Sequence, residues 1–188
     1  MKINRLSLME GARNATGLTV IIDVFRAFST VCVLLNNGAE GIMPVETVKQ
    51  ARKIKASNPD YVLIGERGGK KLPGFQYGNS PSLIENQDFS GKTIVFTTSA
   101  GTKGLKEAKG AEELITGSLV NINAVADYIK ERNPRAVSLV AMGRGGQKPT
   151  EEDELCAKWL EDKLKNKKIT EMSSKIESLK SGSGERFF

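Results

Sequence analysis

The residues of this chain that are best suited to chemistry stand where short apolar runs end. Asp23 follows the apolar run 19–22, and Arg26 comes three residues later. A carboxylate is an oxygen ligand for Mg²⁺, and an arginine can hold an oxyanion through two parallel hydrogen bonds. Ser29 and Thr30 add two hydroxyl groups in the first turns of a predicted helix. Because open α/β sheets bind ligands at the carboxyl ends of their strands, we expect these four side chains to form one side of an active site.

Three further polar clusters follow predicted strands. They are a carboxylate–arginine pair, a hydroxyl-rich turn, and an arginine followed by two acids: Glu66 and Arg67; Thr97, Thr98, Ser99, Gly101 and Thr102; Arg144 with Glu152 and Asp153. A small, hydroxyl-rich turn that leads into a helix exposes backbone N–H groups, which favour phosphate or sulfonate. The acids are oxygen donors that suit Mg²⁺. The clusters together indicate an anion site with a hard metal ion.

Each cluster could also have a purely structural role, without binding a ligand or taking part in catalysis. Asp23 could be an ordinary turn residue, and Glu66 with Arg67 could be a surface ion pair of little energetic value. The sequence Thr-Glu-Glu-Asp at 150–153 fits a helix capping box. The segment 97–102 could be a plain strand-to-helix turn. The functional interpretation depends on all four clusters meeting at one edge of a sheet.

The amino-acid composition excludes several kinds of active site. The chain has no histidine, which excludes histidine-activated serine or cysteine nucleophiles and histidine-ligated zinc. Cys32 and Cys156 are far apart and have apolar neighbours, so we predict that both are reduced core residues on helix faces. Catalysis must therefore use carboxylates, lysine or arginine, hydroxyl groups or a hard metal ion.

The charge favours a small anionic partner. The chain has 28 basic and 22 acidic residues, a net charge of +6. Aromatic residues make up only 6% and do not alternate with basic ones as in a base-stacking surface, so no nucleic acid is expected. No apolar run reaches the roughly 18 residues of a membrane span, and no signal-peptide pattern is visible. We expect a cytoplasmic protein without a membrane partner, and a homo-oligomer is compatible with the sequence.

Strand and helix patterns alternate along the chain. Apolar runs predict strands, and apolar periodicity near 3.6 predicts helices, at these positions: strands 19–23, 61–65, 92–98 and 136–142; helices 45–56, 121–132 and 150–164. This order predicts an α/β fold, a single three-layer α/β/α domain over residues 1–188 with a largely parallel sheet. The glycine- and proline-rich segment 66–88 predicts a functional loop over the site. A second loop is predicted at 181–184.

Four blocks of sequence resemble the 2-phosphosulfolactate phosphatase family. They are Asp-Val-Phe-Arg-Ala-Phe-Ser-Thr at 23–30, Gly-Glu-Arg-Gly at 65–68 leading to Gly-Asn-Ser-Pro at 78–81, Thr-Thr-Ser-Ala-Gly-Thr at 97–102, and Glu-Asp at 152–153. Their order and approximate spacing both fit. The resemblance implies an α/β, Mg²⁺-dependent phosphatase that releases phosphate from 2-phosphosulfolactate to give sulfolactate, a step of coenzyme M biosynthesis.

The resemblance also implies residue roles. Asp23, Arg26 and Glu66 become candidate catalytic residues, and Asp23, Glu152 and Asp153 become candidate Mg²⁺ ligands. The candidate substrate-binding residues share anion-binding groups: Ser29, Thr30, Arg67, Asn79, Ser80, Thr97, Thr98, Gly101 and Thr102. Arg26 and Arg67 would hold the phosphate and the sulfonate. Whether Asp23 binds the metal or attacks the phosphorus stays open.

Two departures from the family pattern leave alternative functions open. Ser99-Ala100 stands where the family more often has Thr-Asn, and the chain stops at Phe188, before the end of its relatives. We therefore expect a domain shortened at its C terminus. One alternative is a phosphatase for another small phosphorylated hydroxy acid, and the other is a non-catalytic anion-binding module.

Overall fold

Strands and helices alternate along the chain in a computed structural model, which describes residues 1–182 and 184–185. The strands are β1 (Lys2–Ser7), β2 (Gly17–Ile22), β3 (Gly41–Pro44), β4 (Val62–Arg67), β5 (Lys70–Lys71), β6 (Thr93–Thr97), β7 (Ala111–Gly117) and β8 (Ala136–Ala141). The helices are α1 (Leu8–Arg13), α2 (Ala27–Asn36), α3 (Val48–Ser57), α4 (Pro81–Ile84), α5 (Gly101–Glu107), α6 (Ile122–Arg132), α7 (Glu151–Leu164) and α8 (Met172–Ser181). This order confirms the α/β class. No helix in the described residues is both long and apolar enough to cross a membrane.

The described strands form two sheets rather than one. The first sheet has the order β1-β8-β2-β7, and all its strands are parallel. The second has the order β3-β6-β4-β5, in which the first three strands are parallel and the short β5 pairs antiparallel with β4. The largely parallel pairing was predicted correctly. The division into two sheets was not, because strand partners such as β1 and β8 lie far apart in the sequence and leave no local signal.

A shared hydrophobic core connects the inner faces of the two sheets. Ile21 of β2 belongs to the same cluster as Ile64 of β4 and Phe96 of β6. Phe28 and Leu34 of α2 complete this cluster, and all five side chains are at most 1% exposed. Burying a large apolar side chain stabilises a fold by about 1.5–3 kcal/mol. The cluster therefore fixes α2, and the turn before it, against both sheets.

Separate cores cover the outer face of each sheet. On the first sheet, Val20 and Ile22 pack in one cluster with Trp159 of α7 and residues of α6. On the second sheet, Leu63 and Val95 pack in another cluster that includes α3. Successive residues of a strand point to opposite faces, which is why Ile21 and its two neighbours serve different cores. Each sheet is thus covered on both faces, as expected for parallel strands.

Helix α2 shows where local patterning was wrong. Phe28, Val31, Cys32 and Leu35 have the i, i+3, i+4, i+7 spacing that predicts one buried helix face. In the structure, however, Leu35 is 52% exposed and Cys32 is half-buried. Leu34 is buried instead. Two adjacent leucines support two different apolar stripes, and the packing of α2 between the sheets selects the stripe that contains Leu34. Cys156 on α7 is buried, as predicted.

Two other segments also differ from the predictions. Strand β4 continues past Gly65 to Arg67, so Glu66 and Arg67 lie within a strand. The segment 66–88 is not structureless, since it contains β5 and α4. In the predicted loop 181–184, Ser181 ends α8 and Ser183 lies outside the described residues.

Candidate active site

A cavity of about 430 Å³ lies at the carboxyl ends of strands from both sheets. From the first sheet, Asp23 after β2 and Arg144 after β8 line it. From the second sheet, Glu66 at the end of β4 and Ser99 after β6 line it. Parallel strands point their carboxyl ends toward the same edge, which brings these distant residues together. The cavity brings together at least one residue from each of the four strand-end clusters.

Asp23 ties the turn after β2 to the start of α5. One carboxylate oxygen accepts a hydrogen bond from the Ala27 N–H at 3.2 Å, and the other accepts one from the Gly101 N–H at 2.9 Å. A Cβ at Gly101 would lie 2.9 Å from Asp23 Oδ2 and 3.0 Å from Phe28. A glycine is required there because the carboxylate and the α2 side chains approach its backbone so closely. Gly101 therefore acts on the site through Asp23.

Glu66 connects the ends of β4 and β6 in the same way. One oxygen accepts the Ser99 N–H at 2.6 Å, and the other accepts the Gly69 N–H at 2.7 Å and the Ser99 hydroxyl at 3.1 Å. The Gly68 N–H in turn donates to the Ser99 hydroxyl oxygen at 3.2 Å. These charge-assisted bonds hold the second wall of the cavity.

Asp153 and Glu152, the two acids at the start of α7, are buried but do not line the cavity. Asp153 accepts the Val24 N–H at 2.7 Å and the Gly143 N–H at 2.8 Å, so it joins the turns that follow β2 and β8. Glu152 Oε2 is buried and has no hydrogen-bond partner among the described residues. The assignment of these acids as Mg²⁺ ligands stays a prediction.

Burial and repulsion from neighbouring acids raise the pKa of Asp23 and of Asp153. Burial raises the pKa of Asp23 from 3.8 to about 6, and repulsion from Glu66 and Glu152 adds to the rise, while the Ala27 and Gly101 N–H groups oppose it. Burial also raises the pKa of Asp153 well above its usual value, with repulsion from Asp23 as the next cause. A concentration of negative charge beside a cavity attracts a cation.

The cations of the cavity agree in part with those that the sequence singled out: Arg26 and Arg144 line it, Arg67 does not, and Lys148 is added. Arg26 lines it, and its guanidinium donates to the Gly69 carbonyl oxygen at 3.2 Å. Arg67 does not line it, because its guanidinium donates to the carbonyl oxygens of Glu66 and Glu46 and to the Thr97 hydroxyl. Arg144 and Lys148 line it from the loop after β8. Lys148 had no predicted role, and its signal was a glycine-rich segment with two basic residues directly after a strand.

The predicted hydroxyl and amide ligands divide into two groups. Asn79 lines the cavity, is 5% exposed, and its Oδ1 has no hydrogen-bond partner among the described residues. The other residues are not cavity-lining side chains: Ser29, Thr30, Ser80, Thr97, Thr98, Gly101 and Thr102. Thr98 and Thr102 instead close the turn before α5, since each backbone N–H donates to the other's hydroxyl oxygen, at 2.9 and 3.2 Å. They shape the wall on which Ser99 and Gly101 sit.

The donor atoms of the cavity suit a Mg²⁺ ion that is bound by few protein ligands. In the described part of the chain, no group of three or more acidic or cysteine side chains converges as a metal cage. Among the residues that line the cavity, Asp23 and Glu66 carry carboxylates, and Asn79, Ser99 and Gln147 carry neutral side-chain oxygens. Mg²⁺ commonly takes one or two carboxylates and completes its six positions with water and substrate oxygens. This small donor set is compatible with that mode of binding.

Comparisons with known proteins agree with the earlier resemblance. A model of the 2-phosphosulpholactate phosphatase family matches residues 5–181. A relative from Carboxydothermus hydrogenoformans is 46% identical over 134 residues, which are 71% of this chain and 56% of the relative. A relative from Caldicellulosiruptor saccharolyticus is 41% identical over 147 residues, 76% of this chain and 60% of the relative. A relative from Clostridium acetobutylicum is 35% identical over 170 residues, which are 88% of this chain and 71% of the relative.

All three relatives carry the name probable 2-phosphosulfolactate phosphatase. The chain spans between 56% and 60% of the length of the first two. The family match runs through every segment that lines the cavity, from Asp23 to Lys148. On this evidence, the chain belongs to the 2-phosphosulfolactate phosphatase family.

Proposed function

We propose that this protein is a Mg²⁺-dependent phosphatase that hydrolyses 2-phosphosulfolactate to sulfolactate and phosphate. The observation that carries the proposal is the cavity itself, in which the carboxylates of Asp23 and Glu66 face three cations, Arg26, Arg144 and Lys148. Such a mixture suits a substrate with several acid groups whose phosphoryl group is held beside a metal ion. The names of the relatives support the choice of substrate. The place of this step in coenzyme M biosynthesis, and the cytoplasmic location, stay predictions.

Glu66 and Asn79 would hold the metal ion, because both line the cavity and Glu66 Oε1 keeps a lone pair beyond the one used by the Ser99 N–H, while Asp23 would stay available for proton transfer. Bound Mg²⁺ would neutralise the charge of the phosphoryl oxygens and orient the group for attack. Backbone N–H groups pair with the carboxylates of Asp23 and Glu66, and these hydrogen bonds fix the positions of the oxygens before any ligand arrives.

Arg26 is placed to bind the phosphoryl group. Its guanidinium lies against Gly69, in the wall that also carries Glu66. A guanidinium binds phosphoryl oxygens through paired, charge-assisted hydrogen bonds, which both hold the group and offset the charge of the transition state. Arg26 therefore serves as a binding and electrostatic group rather than as a proton carrier, since arginine stays protonated.

Asp23 is the group best suited to move a proton. Its pKa of about 6 lets the carboxyl exist in both protonation states near neutral pH. Hydrolysis breaks the bond between phosphorus and the substrate's C2 oxygen, takes a proton from the attacking water and gives one to the leaving oxygen. A group with a pKa near the working pH can make either transfer efficiently. In the chain, no histidine competes for this role.

Phosphate release tests the proposal. The purified protein should release phosphate from 2-phosphosulfolactate in the presence of Mg²⁺ and lose that activity in a chelator. The variant Asp23→Asn should lose the Mg²⁺-dependent release, whereas Asp127→Asn, which changes an exposed carboxylate on α6, should keep it. Near-normal turnover of Asp23→Asn would refute the role of that residue. The absence of release from 2-phosphosulfolactate and from other phosphorylated hydroxy acids would refute the phosphatase proposal.

Trp159 supplies the folding control for these assays. It is the single tryptophan of the chain and is 2% exposed on α7, so its fluorescence reports whether a variant is folded. A variant that loses activity while keeping the native fluorescence has lost chemistry rather than structure.

A further inference from the structure

We infer that Arg144 and Lys148 form the subsite for the acid groups of the substrate other than the phosphoryl group, and that they set the preference for substrates with more than one acid group. This inference rests on the proposed phosphatase function. The two residues belong to the segment 143–148, here called the 143–148 loop, which follows β8 and lines the cavity.

The backbone of the 143–148 loop places the two cations side by side. The Arg144 N–H donates to the Lys148 carbonyl oxygen at 2.7 Å, and the Lys148 N–H donates to the Arg144 carbonyl oxygen at 3.3 Å. This exchange makes Arg144 and Lys148 an antiparallel bridge pair. Directly opposed residues of an antiparallel pair extend their side chains to the same face, about 5 Å apart at Cβ. The loop therefore presents two positive charges together.

The loop is anchored on both sides, so this presentation does not depend on a ligand. Gly143 donates its N–H to Asp153 at 2.8 Å, and Gly146 accepts the Met9 N–H at 3.1 Å. Gly143 also has φ +63°, and a Cβ there would lie 2.2 Å from the Lys148 carbonyl oxygen. Only glycine fits that close approach, which keeps the turn tight. The backbone that carries the two cations therefore needs no rearrangement when an anion binds.

Nothing in the described chain neutralises these two cations. The structure gives the Arg144 guanidinium and the Lys148 ammonium no hydrogen bond or ion pair within residues 1–182 and 184–185. Arg67 is the contrast, because its guanidinium is held by three oxygens outside the cavity. Two neighbouring like charges repel each other, and an anion between them relieves that repulsion. The pair is thus arranged for a ligand rather than for stability.

The chemistry of the proposed substrate matches this division of charge. Beside its phosphoryl group, 2-phosphosulfolactate carries a carboxylate and a sulfonate, both permanent anions at neutral pH. Arg26 lies against the wall that carries Glu66, whereas the 143–148 loop approaches from the first sheet. The phosphoryl group belongs beside Glu66, the carboxylate that would hold the metal. The remaining acid groups are then left to Arg144 and Lys148.

Steady-state kinetics on three phosphate esters test the inference: 2-phosphosulfolactate, 2-phospholactate (which lacks the sulfonate) and isopropyl phosphate (which lacks both acids). Arg144→Ala and Lys148→Ala should each lower kcat/KM for 2-phosphosulfolactate by about 10-fold, and the double variant by about 100-fold, mainly through KM. The rate on isopropyl phosphate should stay within about 3-fold, which is less than the loss of one charge-assisted bond. A matched control, Arg135→Ala with Lys109→Ala, removes two exposed cations that precede β8 and β7 and should change none of the rates.

The response to 2-phospholactate separates the two acids. If the double variant also loses about 10-fold or more on this ester, the pair contacts the carboxylate; if only 2-phosphosulfolactate is affected, the pair contacts the sulfonate. Either result supports the subsite. Equal losses on all three esters, or no loss on any, would overturn it.

Binding of sulfolactate separates the subsite from the phosphatase reaction. This compound has both acids and no phosphoryl group, and its affinity can be measured by calorimetry whether or not the protein hydrolyses any ester. The double variant should bind sulfolactate at least about 10-fold more weakly than the wild type. Equal affinities would reject the subsite, whereas absence of phosphate release with intact, Arg144-dependent sulfolactate binding would reject only the proposed reaction.

Discussion

The pH dependence of folding in the metal-free protein is a direct test of the buried acid cluster. In the folded state, burial raises the pKa of Asp23 from 3.8 to about 6. A carboxyl whose folded pKa is raised stabilises the fold fully below its unfolded pKa, and this contribution is lost as the pH rises through the folded pKa. At about 1.4 kcal/mol per pKa unit, the full effect is about 3 kcal/mol. The metal-free protein should therefore become less stable as the pH rises from about 4 to about 7.

The variant Asp23→Asn isolates this contribution, since asparagine does not titrate. Between about pH 4.5 and about pH 7.5, the free energy of unfolding of the wild type should fall by about 2 kcal/mol more than that of the variant. The charge of Asp23 also raises the pKa of Asp153, so its removal relieves that residue and enlarges the difference in the same direction. The comparison holds even where the variant is less stable at every pH, because only the slope is read.

Urea unfolding followed by Trp159 fluorescence measures both slopes, with a chelator present to exclude divalent ions. A matched exposed variant, Asp127→Asn, should follow the wild type. The quantity to follow is the free energy of unfolding of the wild type minus that of Asp23→Asn. If this quantity stays constant or increases with pH, Asp23 is not a buried carboxylate with a raised pKa. Added Mg²⁺ should stabilise the wild type more near pH 7.5 than near pH 4.5, because it binds the ionised acids, and an equal effect at both pH values would count against a carboxylate-bound ion.

Two smaller changes test the packing around the site. Gly101→Ala places a Cβ 2.9 Å from Asp23 Oδ2 and should destabilise the fold by about 1–3 kcal/mol while lowering phosphatase activity. Gly41→Ala, where no atom lies within 4 Å of the new Cβ, should stay within about 0.5 kcal/mol in urea unfolding. Equal stability of the two variants would contradict the close approach. Burial raises the pKa of the Cys156 thiol, so that thiol should react with iodoacetamide far more slowly in the folded protein than in urea, and equal rates would contradict its burial.

Local sequence patterns predicted those parts of the fold in which a single stripe of apolar residues exists. In α6, Ile122, Val125, Ala126 and Ile129 have the i, i+3, i+4, i+7 spacing that predicts one buried face, and all four are buried. In α2, the adjacent leucines allowed two stripes, and only contact with both sheets decides between them. The division of the strands into two sheets could not be predicted either, because strand partners far apart in the chain leave no local signal.

The candidate site was predictable where a polar residue directly follows a strand. Asp23 directly follows β2, Glu66 lies in the last two residues of β4, and both line the cavity. Arg67 was expected beside Glu66, but β4 continues through both residues, and successive side chains of a strand point to opposite faces. Its guanidinium therefore faces away, toward Glu46 and Thr97. Lys148 escaped prediction because it reaches the cavity through a glycine-rich turn that has no periodicity.

The double use of the carboxylates has an evolutionary consequence. Both oxygens of Asp23, Glu66 and Asp153 accept backbone N–H groups, so an amide in their place must turn its own NH₂ toward one of those donors. A substitution at any of these three acids therefore weakens the fold and the active site at the same time. Arg144 and Lys148 carry no such structural duty in the described chain, and their side chains are free to vary. We therefore expect that substitutions accepted during evolution change the range of substrates more often than they change the hydrolytic reaction.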